Sequence, residues 1–163
     1  MNPLDRSTKE VAEDQEKMVA NYLGWKRVTG SGARPGYPGD VEGENWLGEC
    51  KTHMVPGKPV KFDFNVWEKI ANEAASRFKR PVLFADNGMQ DSESTWVMFI
   101  PDNIHLFTEN VIECHNDVSY SASLTKLEEY YDDSPYIWMV LKHKNDAFAI
   151  MPLSEFKKYA DGV

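Results

Sequence analysis

Three residues in the first third of the chain have the types and spacing needed for metal-dependent chemistry on a phosphate ester. Glu49 and Lys51 are two positions apart, and Asp40 lies nine residues before Glu49. Side chains two apart on a strand project from the same face, so a strand here would pair the carboxylate with the ammonium group. Carboxylates bind Mg²⁺ or Mn²⁺, and a nearby lysine can position water or stabilise charge during phosphodiester hydrolysis. If Asp40 begins the neighbouring strand of a hairpin, it joins the same cluster.

Spacing alone cannot identify such a site. With 26 acidic residues and 13 lysines in 163 positions, about two acid-x-Lys triplets are expected by chance, and the sequence contains two. The second triplet runs from Glu155 to Lys157, with Asp146 nine residues upstream, which repeats the spacing of the first. We interpret this copy as structural, because Ser154 is predicted to cap a helix and Glu155 to lie in its first turn.

The elements that must position the first triplet alternate between helix and strand. Apolar residues recur at helical spacing over residues 7–23, 64–78 and 154–159. Short strands are predicted over 25–29, 40–42, 46–52, 82–85 and 96–100, and a hairpin over 136–151 that turns at Lys144 and Asn145. Residues 30–39 form a Gly- and Pro-rich loop, residues 53–59 a second loop, and residues near 104–107 a short helix or strand. The helix between the central strands predicts a crossover within a mixed sheet.

Length and composition indicate a single domain. A chain of 163 residues with 42% hydrophobic content can bury one core, and we expect a family-like unit at about 7–100 with an α+β extension at about 101–163. No apolar run is long enough for a membrane span or resembles a signal peptide, so a cytoplasmic protein is expected. Cys50 and Cys114 have neither disulfide-scaffold nor zinc-site spacing, and reduced thiols are the expected state.

The net charge of −8 is unfavourable for binding a nucleic acid, but the charge is unevenly distributed. Residues 25–80 contain ten basic and seven acidic side chains, a local balance of +3. The remaining residues therefore carry −11, with much of the excess acid between Glu109 and Asp133. A local basic surface on an acidic protein can still bind DNA, with strong sensitivity to salt.

The run EKMVANYLGWKRVTGSGARPGYPGDVEGENWLGECKTH, residues 16–53, resembles the core of archaeal-type Holliday junction resolvases and related phage nucleases of the PD-(D/E)XK superfamily. The resemblance extends over about residues 10–85, through the segment WEKIANEAASRFKRPVLF. In that family a helical Glu, a loop with hydroxyl residues, an Asp at a strand start and a Glu-x-Lys strand occur in this order. Gly39 precedes Asp40, so the motif's proline, Pro38, is displaced by one position.

The resemblance implies a restriction-endonuclease-like core, a mixed β-sheet flanked by helices, and a Mg²⁺- or Mn²⁺-dependent endonuclease. Its catalytic residues would be Glu16, Asp40, Glu49 and Lys51, with the three carboxylates as metal ligands. The hydroxyl loop would supply Thr29 and Ser31 for DNA contact, with Arg34 beside it. Lys58 and Lys61 are further candidates for phosphate contact, while His53 has a weaker case for a supporting contact.

Substrate and assembly stay open from the sequence alone. Branched or duplex DNA and a homodimer are expected, because two-fold DNA targets favour two-fold proteins. A restriction-like, nicking or repair nuclease on the same core fits the residues equally well. A non-catalytic binding protein that keeps the nuclease fold is a further alternative, which the complete set of Asp40, Glu49 and Lys51 disfavours and the acidic balance favours. The short build and nuclease type would suit a bacteriophage.

Overall fold

The structure is a computed structural model that describes residues 7–28, 39–102, 111–132 and 139–162. The helices in these ranges are α1 (Thr8–Leu23), α2 (Phe64–Ser76), α3 (Leu124–Asp132) and α4 (Leu153–Ala160). The strands are β1 (Lys26–Arg27), β2 (Val41–Glu42), β3 (Trp46–Lys51), β4 (Val60–Asp63), β5 (Arg80–Ala85), β6 (Trp96–Phe99), β7 (Val111–Glu113), β8 (Ser119–Ala122), β9 (Met139–His143) and β10 (Asp146–Pro152). None of these helices combines the length and apolar character needed to cross a membrane.

Eight strands form one mixed, largely antiparallel sheet in the order β1-β2-β3-β5-β6-β10-β9-β7, and β4 pairs with β8 in a separate ribbon. The strands β3 and β5 are parallel, with Glu49 beside Leu83 and Lys51 beside Ala85. The intervening α2 makes the predicted crossover. Because β10 pairs with β6, the C-terminal segment completes the same sheet rather than forming a separate layer.

The helices follow local sequence signals. Ser7 caps α1 by accepting a hydrogen bond from the Glu10 amide, and Gly24 ends it in the left-handed conformation. Asp63 caps α2 by accepting from the Asn65 and Val66 amides. These caps satisfy amide groups at the ends of two helices that pack against β3.

An aromatic cluster closes one side of the sheet. Phe156 of α4 is fully buried, and its ring centroid lies 5.0 Å from that of Trp46 and 5.2 Å from that of Phe99. Trp25, directly after α1, packs edge-to-face against Phe84 and Phe156. The cluster therefore joins the segment after α1 and the helix α4 to the strand that carries Glu49.

The general α/β class, the mixed sheet with flanking helices, and the turn at residues 144–145 are confirmed. Three differences stand out. The predicted loop of residues 53–59 is followed by β4, a strand that was not predicted before α2. The polar stretch after Pro101 contains β7, β8 and α3. The prediction that Ser154 caps α4 is wrong, because the helix begins at Leu153 with Pro152 as its N-cap and no side-chain cap. The expected element near residues 104–107 and the first residues of the predicted hairpin lie outside the described ranges.

Candidate active site

Asp40, Glu49 and Lys51 lie together at the β2–β3 hairpin. The Asp40 amide donates to the Gly48 carbonyl at 2.8 Å, and an Asp40 carboxylate oxygen accepts the Cys50 amide at 2.9 Å. On β3, Lys51 Nζ lies 3.6 Å from Glu49 Oε1. The backbone thus fixes one carboxylate beside a strand whose alternation presents the second carboxylate and the ammonium group on one face.

Burial and like charge act together on Glu49. Its side chain is 15% exposed, and burial, followed by the charge of Asp40, raises its pKa from 4.5 to about 7. The nearby Lys51 ammonium opposes this rise without cancelling it. A divalent cation between the carboxylates would relieve their repulsion and favour the ionised form, so the donor chemistry fits a hard metal ion.

Glu16 approaches the same carboxylates from α1. Its side chain is half-buried, and burial followed by the charge of Asp40 raises its pKa. Arg27 of β1 holds one Glu16 oxygen at 3.4 Å, and the Arg27 Nε is buried without a hydrogen-bond partner among the described residues. The predicted helical carboxylate is therefore electrostatically coupled to Asp40, while an arginine that was not predicted for the site restrains it.

The backbone before Asp40 requires glycine rather than the motif's proline. Gly39 has φ +68°, and a Cβ atom placed there would lie 2.9 Å from the Leu47 side chain. Its amide also donates to Glu73 at 3.0 Å. Proline has φ near −65° and no amide hydrogen, so it fits neither requirement at this position.

One face of α2 adds a charged pair that was not predicted for the site. Lys69 and Glu73 lie 4.0 Å apart, and both act on Glu49, whose pKa the lysine lowers and the glutamate raises. Their spacing of four residues places them on one helical face. The sequence carried this spacing, but only the β3–α2–β5 crossover shows that the face is turned toward Glu49.

Two buried polar side chains hold the strand end that carries Lys51. The fully buried Gln15 of α1 donates to the Lys51 carbonyl at 2.5 Å. Asp86, also buried, accepts from the Thr52 hydroxyl at 2.5 Å and from two loop amides. Burial raises the pKa of Asp86 despite these hydrogen bonds. Both residues position the chain around Lys51, and neither was singled out from the sequence.

The predicted DNA-contact residues divide into two groups. Thr29, Ser31 and Arg34 lie outside the described residues. Lys58 and Lys61 are exposed, and Lys61 shares a cleft of about 280 Å³ with Lys51 and His53. The His53 Nε2 lies 2.8 Å from the Pro59 carbonyl, so one ring nitrogen is engaged within the loop.

Several basic side chains of residues 25–80 are held in ion pairs, although Glu42 meets three cations with a single negative charge. Glu42 forms ion pairs with Lys26, Arg77 and Lys79, with nitrogen-to-oxygen distances of 3.3–3.5 Å. Arg80 pairs with Asp102 at 3.5 Å. For Lys58 and Lys61, the described part of the chain supplies no salt-bridge partner, and the cleft that Lys61 shares with Lys51 is also lined by Asp63 and Asp86.

The described ranges contain no group of three or more His, Cys, Asp or Glu side chains arranged to hold a metal ion. Asp40 and Glu49 thus form a pair of candidate ligands, and the predicted third ligand, Glu16, is not grouped with them closely enough to complete a three-residue site. Mg²⁺ commonly binds through one or two carboxylates with water completing its shell. Cys50 is buried on the other side of β3, where burial and nearby acids raise its pKa well above the usual range. Its thiol is unsuited to act as a nucleophile. Both cysteines are free.

The chain matches no protein-family model, no curated protein and no solved structure.

Proposed function

We propose that this protein is a metal-dependent DNA endonuclease with a PD-(D/E)XK active site on a restriction-endonuclease-like core, related in type to Holliday junction resolvases. The observation that carries the proposal is the pairing of Glu49 with Lys51 at 3.6 Å beside Asp40, whose charge raises the pKa of Glu49. Two partly buried carboxylates that repel each other are an unfavourable arrangement unless a metal ion lies between them. The hairpin and the β3–α2–β5 crossover support the proposed core.

Each side chain has a distinct part in the proposed reaction. A bound Mg²⁺ or Mn²⁺ would activate water and stabilise negative charge on the phosphate. Asp40 and Glu49 would hold the ion, with one Asp40 oxygen kept in place by the Cys50 amide. Lys51, whose side chain is 52% exposed, would donate to the attacking water or to a phosphate oxygen. Glu16 would add negative charge to the site from α1.

Phosphate contacts outside the reacting centre are proposed for Lys61 and Lys58, and for the loop residues Thr29, Ser31 and Arg34. Because these contacts would pair basic side chains with phosphates and release counterions, DNA affinity is expected to fall with salt. A homodimer would place two such sites on a two-fold junction. Sedimentation with and without a four-way junction tests this part, and a strict monomer in both cases contradicts it.

The deciding experiment is a cleavage assay with Mg²⁺ on a synthetic four-way junction, with linear duplex, nicked duplex and single strands of the same sequence alongside. The variant is Asp40→Asn, and Asp146→Asn is the matched control because Asp146 has the same spacing from the second triplet. Asparagine can still accept the Cys50 amide, so the fold should persist while cleavage falls about 10³-fold or more.

Paired symmetric cuts on the junction alone, lost in Asp40→Asn and kept in Asp146→Asn, support a resolvase. Cleavage of the other substrates with the same mutational pattern supports the active site but assigns a restriction-like, nicking or repair activity. Absence of cleavage on every substrate contradicts an enzyme and favours the non-catalytic binding protein.

A further inference from the structure

A second cleft, of about 540 Å³, lies between the first half of α2 and the β9–β10 hairpin. Phe64, Glu68 and Ala71 of α2 line it, whereas Lys69 and Glu73 of the same helix act on Glu49. At 100° per residue, these two sets are centred roughly 150° apart around the helix axis. The cleft is therefore separated from the candidate active site by α2 itself, and its volume is typical of ligand sites.

Aromatic and largely buried side chains line this cleft, and they meet both face to face and edge to face. His143 is 6% exposed, and its ring stacks on Phe64 with centroids 3.8 Å apart and planes 2° apart. Trp67 and Phe148, whose centroids are 5.1 Å apart, extend the aromatic surface. The His143 Nδ1 lies 3.3 Å from the Cys114 carbonyl, which can only accept a hydrogen bond. In the neutral ring, Nε2 is therefore the acceptor atom.

The rim of the cleft is acidic. Glu68, Asp117 and Asp146 are exposed, and no salt-bridge partner for them lies within the described ranges. Lys144 is the single lysine or arginine among the described residues that line the cleft. Three carboxylates against one ammonium group repel phosphate, so this face is unsuited to a nucleic-acid backbone. A cation with several hydrogen-bond donors complements it.

We propose that this cleft binds an arginine side chain presented by a basic segment of a protein partner. A guanidinium group is planar and carries five donors, which suits the carboxylates of the rim and the His143 Nε2 acceptor, while the apolar stem of arginine can lie against the exposed edges of the wall. A neutral side chain would leave the rim carboxylates without a charged partner, and an anionic side chain would be repelled by them. Since the cleft and the candidate active site lie on different sides of α2, partner binding is compatible with DNA at the active site and is independent of the nuclease proposal.

The test uses the full chain, labelled with ¹⁵N, and two blocked tripeptides, acetyl-Gly-Arg-Gly-amide and its citrulline counterpart. Citrulline keeps the shape of arginine and removes its charge. We expect the arginine peptide to shift amide signals of α2 and the β9–β10 hairpin saturably, with a dissociation constant of roughly millimolar order. The citrulline peptide should bind at least about tenfold more weakly, because charge-assisted hydrogen bonds are lost.

The matched variants are the double substitution Asp117→Asn with Asp146→Asn, and Glu155→Gln as a control outside the cleft. Both aspartates are exposed, so the double variant should keep its spectrum while binding the arginine peptide about tenfold more weakly. The control should bind as the wild type does. Equal binding of both peptides, unchanged affinity in the double variant, or saturable shifts of these amides by a short DNA duplex instead would each overturn the proposal.

Discussion

The two acid-x-Lys triplets have the same pattern in the sequence and opposite roles in the structure. On β3, Glu49 and Lys51 project from one face and lie 3.6 Å apart. On α4, positions two apart point roughly 200° away from each other, and the two charges find different partners. Glu155 pairs with Lys158 at 3.1 Å, and Lys157 pairs with Asp161 at 2.6 Å. The triplet therefore brings its charges together only when it forms a strand.

The upstream aspartates differ in the same way. Asp40 directly precedes β2 and accepts the Cys50 amide, so the hairpin brings it to Glu49. Asp146 begins β10 and lies opposite His143, while Glu155 lies beyond the other end of that strand. Two carboxylates nine residues apart come together when a tight turn lies between them. The same number of residues along an extended strand keeps them far apart.

The largest expected contrast is in catalysis. Glu49→Gln should reduce Mg²⁺-dependent cleavage about 10³-fold or more, because it removes a proposed metal ligand, whereas Glu155→Gln should leave the rate within about twofold. Both rates are measured on whichever DNA substrate the wild type cuts, with circular dichroism to verify the fold. Equal loss in both variants, or full activity in Glu49→Gln, would remove the distinction between the triplets.

The middle residues of the two triplets, Cys50 and Phe156, should show the opposite order in their contributions to stability. Phe156 is fully buried in the aromatic cluster, and Phe156→Ala should cost about 3–5 kcal/mol of unfolding free energy. Cys50→Ala removes a single sulfur atom from a site that is 8% exposed, and should cost about 1 kcal/mol. Urea unfolding of both variants measures the difference. A cost for Phe156→Ala no greater than that for Cys50→Ala would contradict a structural role for the second triplet.

Ionisation of Glu49 predicts a pH-dependent contrast in metal-free protein. Burial and Asp40 raise its pKa from 4.5 to about 7, so the folded state binds the proton more tightly than the unfolded state. The stability that comes from this proton is present below pH 4.5 and is lost as the pH rises through about 7. Glu49→Gln should therefore be more stable than the wild type at pH 8, by on the order of 2 kcal/mol, and gain much less at pH 5.

Thermal unfolding in the presence of a chelator measures this gain at both pH values. Adding Mg²⁺ at pH 8 should then stabilise the wild type and leave Glu49→Gln unchanged, because the ion binds the ionised carboxylate pair. A stability gap of the same size at pH 5 and pH 8 would show that Glu49 is not the group that titrates.

The sequence predicted those elements whose apolar spacing or strand alternation is clear within the element itself. Apolar spacing identified α1 and α2, and strand alternation placed Glu49 and Lys51 on one face. The four-residue β4 was missed although Val60 and Phe62 are fully buried, since its alternation is short and adjoins a loop. In α3 only Leu127 is buried among the described side chains, so its polar sequence gave little helical signal.

Long-range contacts account for the parts of the site that the sequence did not reveal. Gln15 reaches the Lys51 carbonyl across 36 positions, and Gly39 donates to Glu73 across 34. No local period encodes such partners. The error at Ser154 has a different cause, because β10 passes directly into α4 and the Leu153 amide donates to the Thr95 carbonyl. This hydrogen bond, to the residue before β6, fixes the start of the helix one residue before Ser154.

The smallest expected effect completes the contrast between the triplets. Glu155 lies in the first turn of α4 and pairs with Lys158, whose side chain is 63% exposed. Glu155→Gln should therefore cost about 0.3–1 kcal/mol at low salt, through the ion pair and the helix dipole. In 1 M NaCl most of this cost should disappear, because exposed charges are screened. A cost that persists undiminished at high salt would indicate a role in packing rather than surface electrostatics.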